Sequence, residues 1–261
     1  MGKDEGVWPM AAVVADPAAP TDVAGRAEAL ATRLDVPLVA EAPDGQVLSL
    51  RCDADGVTLV GGGLELRADF ADMLPRLTPG NLSRELLVRA ARLKGLPAGY
   101  APRAVDATAG LGADSLLLAA SGFEVELFES DTVIAALLED ALRRAREHPK
   151  LADIVSRMHL HPCDSIAALP HLPASPDVVY LDPMFPERRK SAAVKKKFQL
   201  LHRLERPCGN QEELLRAALA AHPRKVVVKR PVKGPDLAGV KPSHTMAGKA
   251  VRYDCIVPPR P

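Results

Sequence analysis

The spacing of apolar residues divides this chain into short strand-like runs and longer helix-like stretches. Runs of β-branched or alternating apolar residues predict strands, whereas apolar residues that recur every three or four positions predict helices. Residues 1–70 contain one helical stretch and five short strand-like runs, which predict a small α+β accessory domain. The helix is expected at 21–34, and the strands at 10–15, 38–40, 46–51, 57–60 and 64–67.

A connector at 71–103 follows, punctuated by proline and glycine, with one helix expected at 83–94. From residue 104 to residue 261, strands and helices alternate, and this alternation implies a mostly parallel sheet covered by helices. A closing antiparallel hairpin is predicted at 243–257. The strands are expected near 104, 124–128, 158–161, 178–181 and 224–233, and the helices at 116–120, 132–147, 166–169, 187–206 and 212–221.

Composition narrows the class of protein. The chain is 47% hydrophobic and 26% charged, which is typical of a globular protein. It has no apolar run long enough to cross a bilayer and no signal-peptide pattern at its start. The four cysteines never form a C-x-x-C pair, which argues against zinc and against a disulfide framework. We therefore expect a cytoplasmic protein with no metal ion and no membrane partner.

Charge is unevenly distributed along the chain. Residues 1–70 hold five Lys or Arg and 12 Asp or Glu, so that segment carries −7 and, with a formal charge of +1 for the whole chain, residues 71–261 carry +8. A basic body favours a polyanionic partner, although solvated surface charge also explains these totals. The densest basic run, E-R-R-K-S-A-A-V-K-K-K-F at 187–198, comes directly after a predicted strand.

A glycine turn follows the first strand of the main domain, in A-V-D-A-T-A-G-L-G. Gly110 and Gly112 allow a ligand to approach the backbone, and the next helix begins with free N–H groups. Glu129 ends the following strand, 17 residues after Gly112, where a carboxylate can accept hydrogen bonds from ribose hydroxyls. The spacing predicts a nucleotide site. The alternatives are a plain strand-to-helix turn and a Glu129 that caps the next helix.

Asp164 and Ser165 come just past the strand at 158–161. At that place a carboxylate is positioned to contact the amino group of an adenine. It is equally well positioned to cap the short helix that follows, and the two roles are compatible.

The strand at 178–181 runs into D-P-M-F-P, whose two prolines force the chain out of the sheet. This places the Asp182 carboxylate, the Pro183 carbonyl and the Phe185 ring at the carboxyl edge of the strand. Ligands bind at that edge in open α/β sheets. The alternative is a proline-rich turn in which Asp182 caps a helix and Phe185 joins the core.

Taken together, these stretches resemble a known family. D-A-T-A-G-L-G-x-D, L-D-P-M-F-P, the following K-S-A-x-V-K-K and V-V-V-K-R-P look like the motifs of the RsmJ family of small-subunit ribosomal RNA guanine-N2 methyltransferases. The resemblance extends from about residue 105 to residue 257. It implies a Rossmann-like class I methyltransferase fold, S-adenosylmethionine as cofactor, and small-subunit ribosomal RNA or the 30S particle as partner.

The resemblance also implies roles for individual residues. Asp182, Pro183 and Phe185 would act on the guanine, the first two by accepting N–H bonds from N2 and the third by stacking on the base. The cofactor would be held by Asp106, Gly110, Gly112, Ala113, Asp114, Glu129, Ser130, Asp164, Ser165 and Asp182. RNA phosphates would be contacted by Arg188, Arg189, Lys190, Lys195, Lys196, Lys197, Lys229 and Arg230.

Other functions share part of this pattern. D-P-M-F would serve an adenine-N6 or cytosine-N4 methyltransferase on RNA or DNA equally well. The absent third glycine speaks against a nicotinamide-dependent oxidoreductase, and the intact Asp182 speaks against a non-catalytic RNA-binding or ribosome-assembly protein. The methyltransferase hypothesis requires that the loops carrying Gly110, Glu129 and Asp182 converge on one crevice.

Overall fold

The computed structural model describes residues 8–183, 200–201, 204 and 210–259. Within these residues the chain forms two compact units. The N-terminal unit contains the residues up to Ala68 together with Thr132–Arg144, and the C-terminal unit contains Asp69–Asp131 and the described residues from 145 onward, other than 200–201 and 204. The domain boundaries expected at residues 70 and 103 stay predictions.

The N-terminal unit is built on a five-stranded mixed sheet in the order β2-β1-β3-β4-β5. The first three strands in that order pair in parallel, and the last three pair antiparallel. The expected helix and five strands are confirmed. They are β1 Met10–Val14, α1 Thr21–Leu34, β2 Leu38–Val39, β3 Leu48–Asp53, β4 Gly56–Gly61 and β5 Leu64–Leu66.

A buried carboxylate fixes a distant helical segment to this small sheet. Asp140, only 4% exposed, accepts a hydrogen bond from the Val57 amide at 3.0 Å and ion pairs from Arg143 at 2.9 Å and Arg144 at 2.8 Å. Burial on its own would raise the Asp140 pKa, but these donors outweigh it and lower that pKa. Thr132–Arg144 thus belongs with strands more than 70 residues earlier in the chain.

The C-terminal unit is built on a seven-stranded sheet in the order β11-β12-β10-β9-β6-β7-β8. The five strands from β10 to β8 are parallel, and the final pair is antiparallel, as predicted. The strands are β6 Arg103–Asp106, β7 Glu124–Phe128, β8 Met158–His161, β9 Val178–Leu181, β10 Lys225–Pro231, β11 His244–Ala247 and β12 Val251–Ile256.

The central strands read as continuous apolar runs because helices cover both faces of the sheet. All four residues of β9 are buried, and Val226, Val227 and Val228 of β10 are completely buried. In the described part of the chain after residue 70, the α-helices are α2 Pro79–Leu82, α3 Leu86–Ala91, α4 Ala113–Ala120, α5 Thr132–Arg146, α6 Ala152–Val155, α7 Ser165–Ala168 and α8 Gln211–Ala220. The helix expected at 187–206 lies mostly outside the described residues.

The connector differs from its prediction. The helix expected at 83–94 is present but shorter, as α3, and a 3-10 helix at Phe70–Arg76 and the short helix α2 precede it. Helix α3 is limited by Glu85 and Arg92, whose ψ angles of 126° and 129° are extended and do not continue a helix. Asp69 starts the 3-10 helix by accepting a hydrogen bond from the Ala71 amide at 2.9 Å.

The order of the strands determines where a ligand can bind. From β6 the chain proceeds outward to β7 and β8, and it then returns to β9 on the other side of β6. Ligands of open α/β sheets occupy the crevice beyond the carboxyl ends of the strands at such a reversal. The carboxyl ends of β6 and β9 carry Asp106 and Asp182.

Candidate active site

The loop after β6 leaves open space next to its backbone. Gly110 and Gly112 have φ angles of +54° and +77°, in the left-handed region that favours glycine. A Cβ atom added to Gly110 would meet no atom within 4 Å. Gly112 is the N-cap of α4, so the free amides of that helix begin directly after the open loop.

Glu129 connects this glycine loop to the end of β7. Its carboxylate accepts hydrogen bonds from the Gly110 amide at 2.9 Å and from the Asp131 amide at 2.8 Å. Burial raises the pKa of Glu129, and these backbone donors partly offset that rise. The amide of Glu129 in turn donates to the His161 carbonyl of β8 at 3.2 Å. The loop after β6 and the ends of β7 and β8 therefore meet at Glu129.

Asp182 is joined to the same loop through Thr108. The Asp182 amide donates to the Thr108 hydroxyl at 2.7 Å, and the Thr108 amide donates to the Asp106 carboxylate at 3.1 Å. With the Gly110–Glu129 contact, this confirms that the loops carrying Gly110, Glu129 and Asp182 converge.

Asp106 itself lies beneath the loop. It is 1% exposed and accepts a hydrogen bond from the Ser115 hydroxyl at 2.6 Å. Burial is the largest influence on this carboxyl and raises its pKa to about 7. Asp106 therefore supports the loop from inside the fold.

A lysine bridges two acids at the mouth of the site. The Lys229 ammonium lies 2.8 Å from a carboxylate oxygen of Asp182 and 2.8 Å from one of Asp114, at the start of α4. The same Asp114 oxygen accepts a hydrogen bond from the Tyr180 hydroxyl at 2.6 Å. Burial would lower the Lys229 pKa, but the two carboxylates outweigh it and raise that pKa.

The remaining predicted residues lie around this centre. Ala113 and Ser130 are exposed next to the loops after β6 and β7. Asp164 is exposed and caps α7 by accepting a hydrogen bond from the Ile166 amide at 2.9 Å, while Ser165 and Pro183 are buried. The roles of all these residues in binding stay predictions.

Two predicted RNA contacts have other partners in the structure. Lys229 pairs with the two acids described above. Arg230 is 1% exposed, and its guanidinium donates to the Pro235 carbonyl at 2.8 Å, so it is not on a surface that a phosphate can reach. We leave Arg230 out of the RNA surface. Phe185, Arg188, Arg189, Lys190, Lys195, Lys196 and Lys197 lie outside the described residues.

Thr108, Ser115 and Tyr180 were missed by the sequence analysis. A signal existed for the tyrosine, because a hydroxyl inside the apolar run V-V-Y-L needs a hydrogen-bond partner when it is buried. Thr108 and Ser115 carry no such signal, since small hydroxyl residues are common in turns and at helix starts.

Neither a metal cluster nor a membrane segment is found among the described residues. They contain no group of three or more His, Cys, Asp or Glu that could hold a metal ion. No helix in the described part of the chain is long and apolar enough to cross a membrane.

Comparison with known proteins decides the family. A family model described as "Putative SAM-dependent methyltransferase" matches residues 46–258. The "Ribosomal RNA small subunit methyltransferase J" of Thioalkalivibrio sulfidiphilus is 42% identical over 90% of this chain and 94% of its own length. The Pseudomonas aeruginosa protein of the same name is 40% identical over 89% of this chain and 90% of its own length. The chain belongs to the ribosomal RNA small subunit methyltransferase J family.

A solved structure agrees with this assignment to the methyltransferase J family. The crystal structure of a SAM-dependent methyltransferase from Neisseria gonorrhoeae aligns with a TM-score of 0.72 at 30% identity, covering 94% of this chain and 95% of that one. The expected Rossmann-like methyltransferase fold and the dependence on S-adenosylmethionine (SAM) are thereby confirmed.

The site's geometry fits this cofactor. The open space at Gly110 and the start of α4 leave room beside backbone N–H groups. Each oxygen of Glu129 accepts one backbone amide and keeps a lone pair for a further donor, such as a ribose hydroxyl. When ionised, Asp114, Asp182 and Lys229 together carry a net charge of −1, which suits a cationic sulfonium.

Proposed function

We propose that this protein transfers a methyl group from SAM to the exocyclic N2 of a guanosine in small-subunit ribosomal RNA. The relatives' name, ribosomal RNA small subunit methyltransferase J, supports the substrate class. The observation that carries the proposal is the position of Asp182. Its backbone is fixed to the glycine loop through Thr108, and its carboxylate lies at the carboxyl edge of β9.

Guanine N2 needs help to react, because its lone pair is delocalised into the ring. Asp182 uses one carboxylate oxygen, Oδ2, to accept from Lys229, and among the described residues its Oδ1 atom has no hydrogen-bond partner. We assign Oδ1 the role of accepting an N–H bond of the amine, with the Pro183 carbonyl as the second acceptor. Holding the amine in this way favours a more pyramidal and nucleophilic nitrogen.

Most of the rate acceleration then comes from positioning. When bound, SAM would supply a methyl group on a sulfonium, with a neutral thioether as the leaving group that keeps the electrons of the broken C–S bond. The lone pair of N2 forms the new N–C bond, and one N–H proton passes to the Asp182 carboxylate and on to solvent. Glu129, the glycine loop and the start of α4 are the residues that we assign to holding the cofactor.

RNA binding is assigned to the basic run at 187–198. Lys and Arg side chains there would neutralise backbone phosphates, and affinity should therefore fall steeply as salt rises. The target guanosine must be unpaired or flipped to bring N2 to Asp182. Because ribosomal RNA is its proposed substrate, we also propose a cytoplasmic location for the protein.

Transfer of labelled methyl groups tests the proposal directly. Purified protein and tritiated SAM are incubated in parallel with bare 16S ribosomal RNA, 30S particles and duplex DNA, and the labelled product is digested to nucleosides. We expect N2-methylguanosine from RNA or from particles and no label in DNA. N6-methyladenosine or N4-methylcytidine would contradict the assignment of the base, and label in DNA alone would contradict the substrate class.

A further inference from the structure

We propose that Lys229 is a positioning residue for Asp182: its ammonium holds one carboxylate oxygen, keeps the carboxylate ionised and leaves the other oxygen for the guanine amine. This inference rests on the proposed function, because it concerns the same carboxylate. It also differs from the phosphate contact that the sequence predicts for Lys229.

The contacts of Lys229 argue against a solvated charge. The residue lies near the carboxyl end of β10, next to β9 in the sheet, and its side chain is 26% exposed. Two of its three N–H donors are directed to Asp114 and Asp182, each at 2.8 Å. A lysine that clamps a phosphate would have to abandon two charge-assisted hydrogen bonds, which are among the stronger contacts of a protein.

The environment of Asp182 shows why it needs this cation. Burial raises the pKa of Asp182, and the neighbouring Asp114 raises it further, whereas the Lys229 ammonium lowers it. A protonated Asp182 could not accept the amine proton, and its O–H group would be a donor where the amine needs an acceptor. Among the described residues that influence Asp182, Lys229 is the group that opposes protonation.

Other ionisable groups surround the pair, and each bears on its titration. Asp114 approaches from α4, Tyr180 from β9, Tyr253 from β12 and Asp106 from β6, and Arg76 of the 3-10 helix lies near enough to influence Tyr253. Burial raises the pKa of both tyrosines, so they are neutral near pH 7. The ionised form of Asp182 is therefore stabilised by the Lys229 ammonium and disfavoured by the Asp114 carboxylate.

Carbon-13 NMR of the cofactor-free protein measures this balance without any reaction. The carboxyl carbon of Asp182 is assigned by comparison with Asp182→Asn and titrated in the wild type, Lys229→Met and Lys229→Arg. Lys225→Met is the matched control, because Lys225 lies on the same strand but donates to the Ala90 and Arg92 carbonyls, away from the site.

We expect Lys229→Met to raise the Asp182 pKa by about 1–3 units, the range for losing a nearby opposite charge. Lys229→Arg should restore most of the wild-type value, and Lys225→Met should leave it unchanged. An Asp182 titration that is the same in Lys229→Met and in the wild type would overturn the inference. If Lys229→Met fails to fold, Asp114→Asn is the second test: it should lower the Asp182 pKa, and an unchanged or higher value would overturn the inference.

Methyl transfer to ribosomal RNA at saturating SAM provides the second readout. In Lys229→Met, the acidic limb of the pH–rate profile should move to higher pH by the same number of pH units as the Asp182 pKa measured by NMR. Product analysis of the wild type separates the two claims. A methylated base other than guanine contradicts the proposed function and leaves the Lys229 comparison valid. N2-methylguanosine with an unmoved limb and an unmoved titration contradicts only the inference about Lys229.

Discussion

Two carboxyl groups of the site occupy neighbouring strands but different environments. Asp106, at the end of β6, is 1% exposed and is held by a hydroxyl and an amide. The side chain of Asp182, just past β9, is 36% exposed and faces an ammonium. A fully buried acid that is hydrogen-bonded inside the fold suits structural support, whereas a partly exposed carboxylate paired with an ammonium suits contact with a substrate. The two acids therefore call for different tests.

For Asp182, replacement by alanine should abolish methyl transfer and leave SAM affinity within about tenfold, or 1.4 kcal/mol, of the wild type. The reason is that the carboxylate acts on the amine, while the contacts we assign to the cofactor lie on Glu129 and the loop after β6. Filter binding of RNA product and calorimetric titration with SAM measure the two quantities. Full activity in Asp182→Ala would exclude the proposed role.

For Asp106, the stability of the protein should depend on pH in a defined direction. Its pKa is about 7 in the folded protein and close to 3.8 in the unfolded chain, so the folded state binds more protons between these values. The contribution of Asp106 is thus present at acidic pH and is lost as pH rises toward 7. Relative to Asp106→Asn, the wild type should lose about 2 kcal/mol between pH 5 and pH 7.

Urea denaturation of the two proteins at several pH values checks this expectation. The exposed residue Asp44 provides a control, since Asp44→Asn should follow the wild-type curve. If the free energy of unfolding depends on pH in the same way in the wild type and in Asp106→Asn, then Asp106 has the same pKa in the folded and unfolded chains. That result would contradict the prediction.

At the scale of elements, helix α5 shows how one residue can connect distant parts of the chain. Its Asp140 accepts from the Val57 amide of β4 and from two arginines of its own helix. Gly56, at the start of β4, has a φ of +126°, and a Cβ atom there would lie 2.7 Å from the Arg144 guanidinium. The turn before β4 is therefore fitted closely around this ionic cluster.

Replacing Asp140 by asparagine should destabilise the protein by about 2–3 kcal/mol at pH 7, because it removes the carboxylate charge with which two partly buried arginines pair. The lowered pKa of Asp140 means that this loss should persist above about pH 4 and shrink below it, as the wild-type carboxylate protonates. Glu139→Gln is the matched control. Glu139 pairs with Arg33 at 2.7 Å but is 62% exposed, so its loss should cost less than about 1 kcal/mol. Equal losses for both variants in urea denaturation would contradict the special role of Asp140.

Sequence patterns predict elements better than they predict partners. The strands of both sheets and helix α5 were predicted because apolar periodicity depends on each segment alone. The connector helix was predicted too long, because the extended backbones of Glu85 and Arg92 confine it to Leu86–Ala91. The ion pairs of Lys229 could not be predicted, since Asp114 and Asp182 are 115 and 47 residues away and reach it only through the order of the strands. For the same reason V-V-V-K-R-P looked like a phosphate-binding edge.

For the whole molecule, the distribution of charge predicts which part of the chain contacts the proposed RNA substrate. The acidic first 70 residues carry −7 and the remaining residues carry +8, so a polyanion should approach the latter. The predicted RNA contacts Lys195, Lys196 and Lys197 belong to the basic run of that part. Their contribution is electrostatic and should therefore depend on salt.

Changing these three lysines to alanine should weaken RNA binding and reduce the slope of log affinity against log salt by about 2. The exposed residues Lys150, Lys241 and Lys249 provide a control with the same change of net charge at other places. Fluorescence anisotropy with a ribosomal RNA fragment at several salt concentrations compares the two triple variants. An unchanged slope in the first variant would contradict RNA binding by the run at 187–198 and would favour the alternative, a solvated helix face.

The membership of Thr132–Arg144 in the N-terminal unit also limits how this chain can be divided. The segment lies in the chain between β7 and β8, yet its buried acid is satisfied by an amide near residue 57. A gene fragment that starts at residue 69 would keep Asp140 and its two arginines but lose the Val57 amide that donates to the same carboxylate. A front segment exchanged at that point would therefore have to supply an equivalent amide to Asp140 of helix α5.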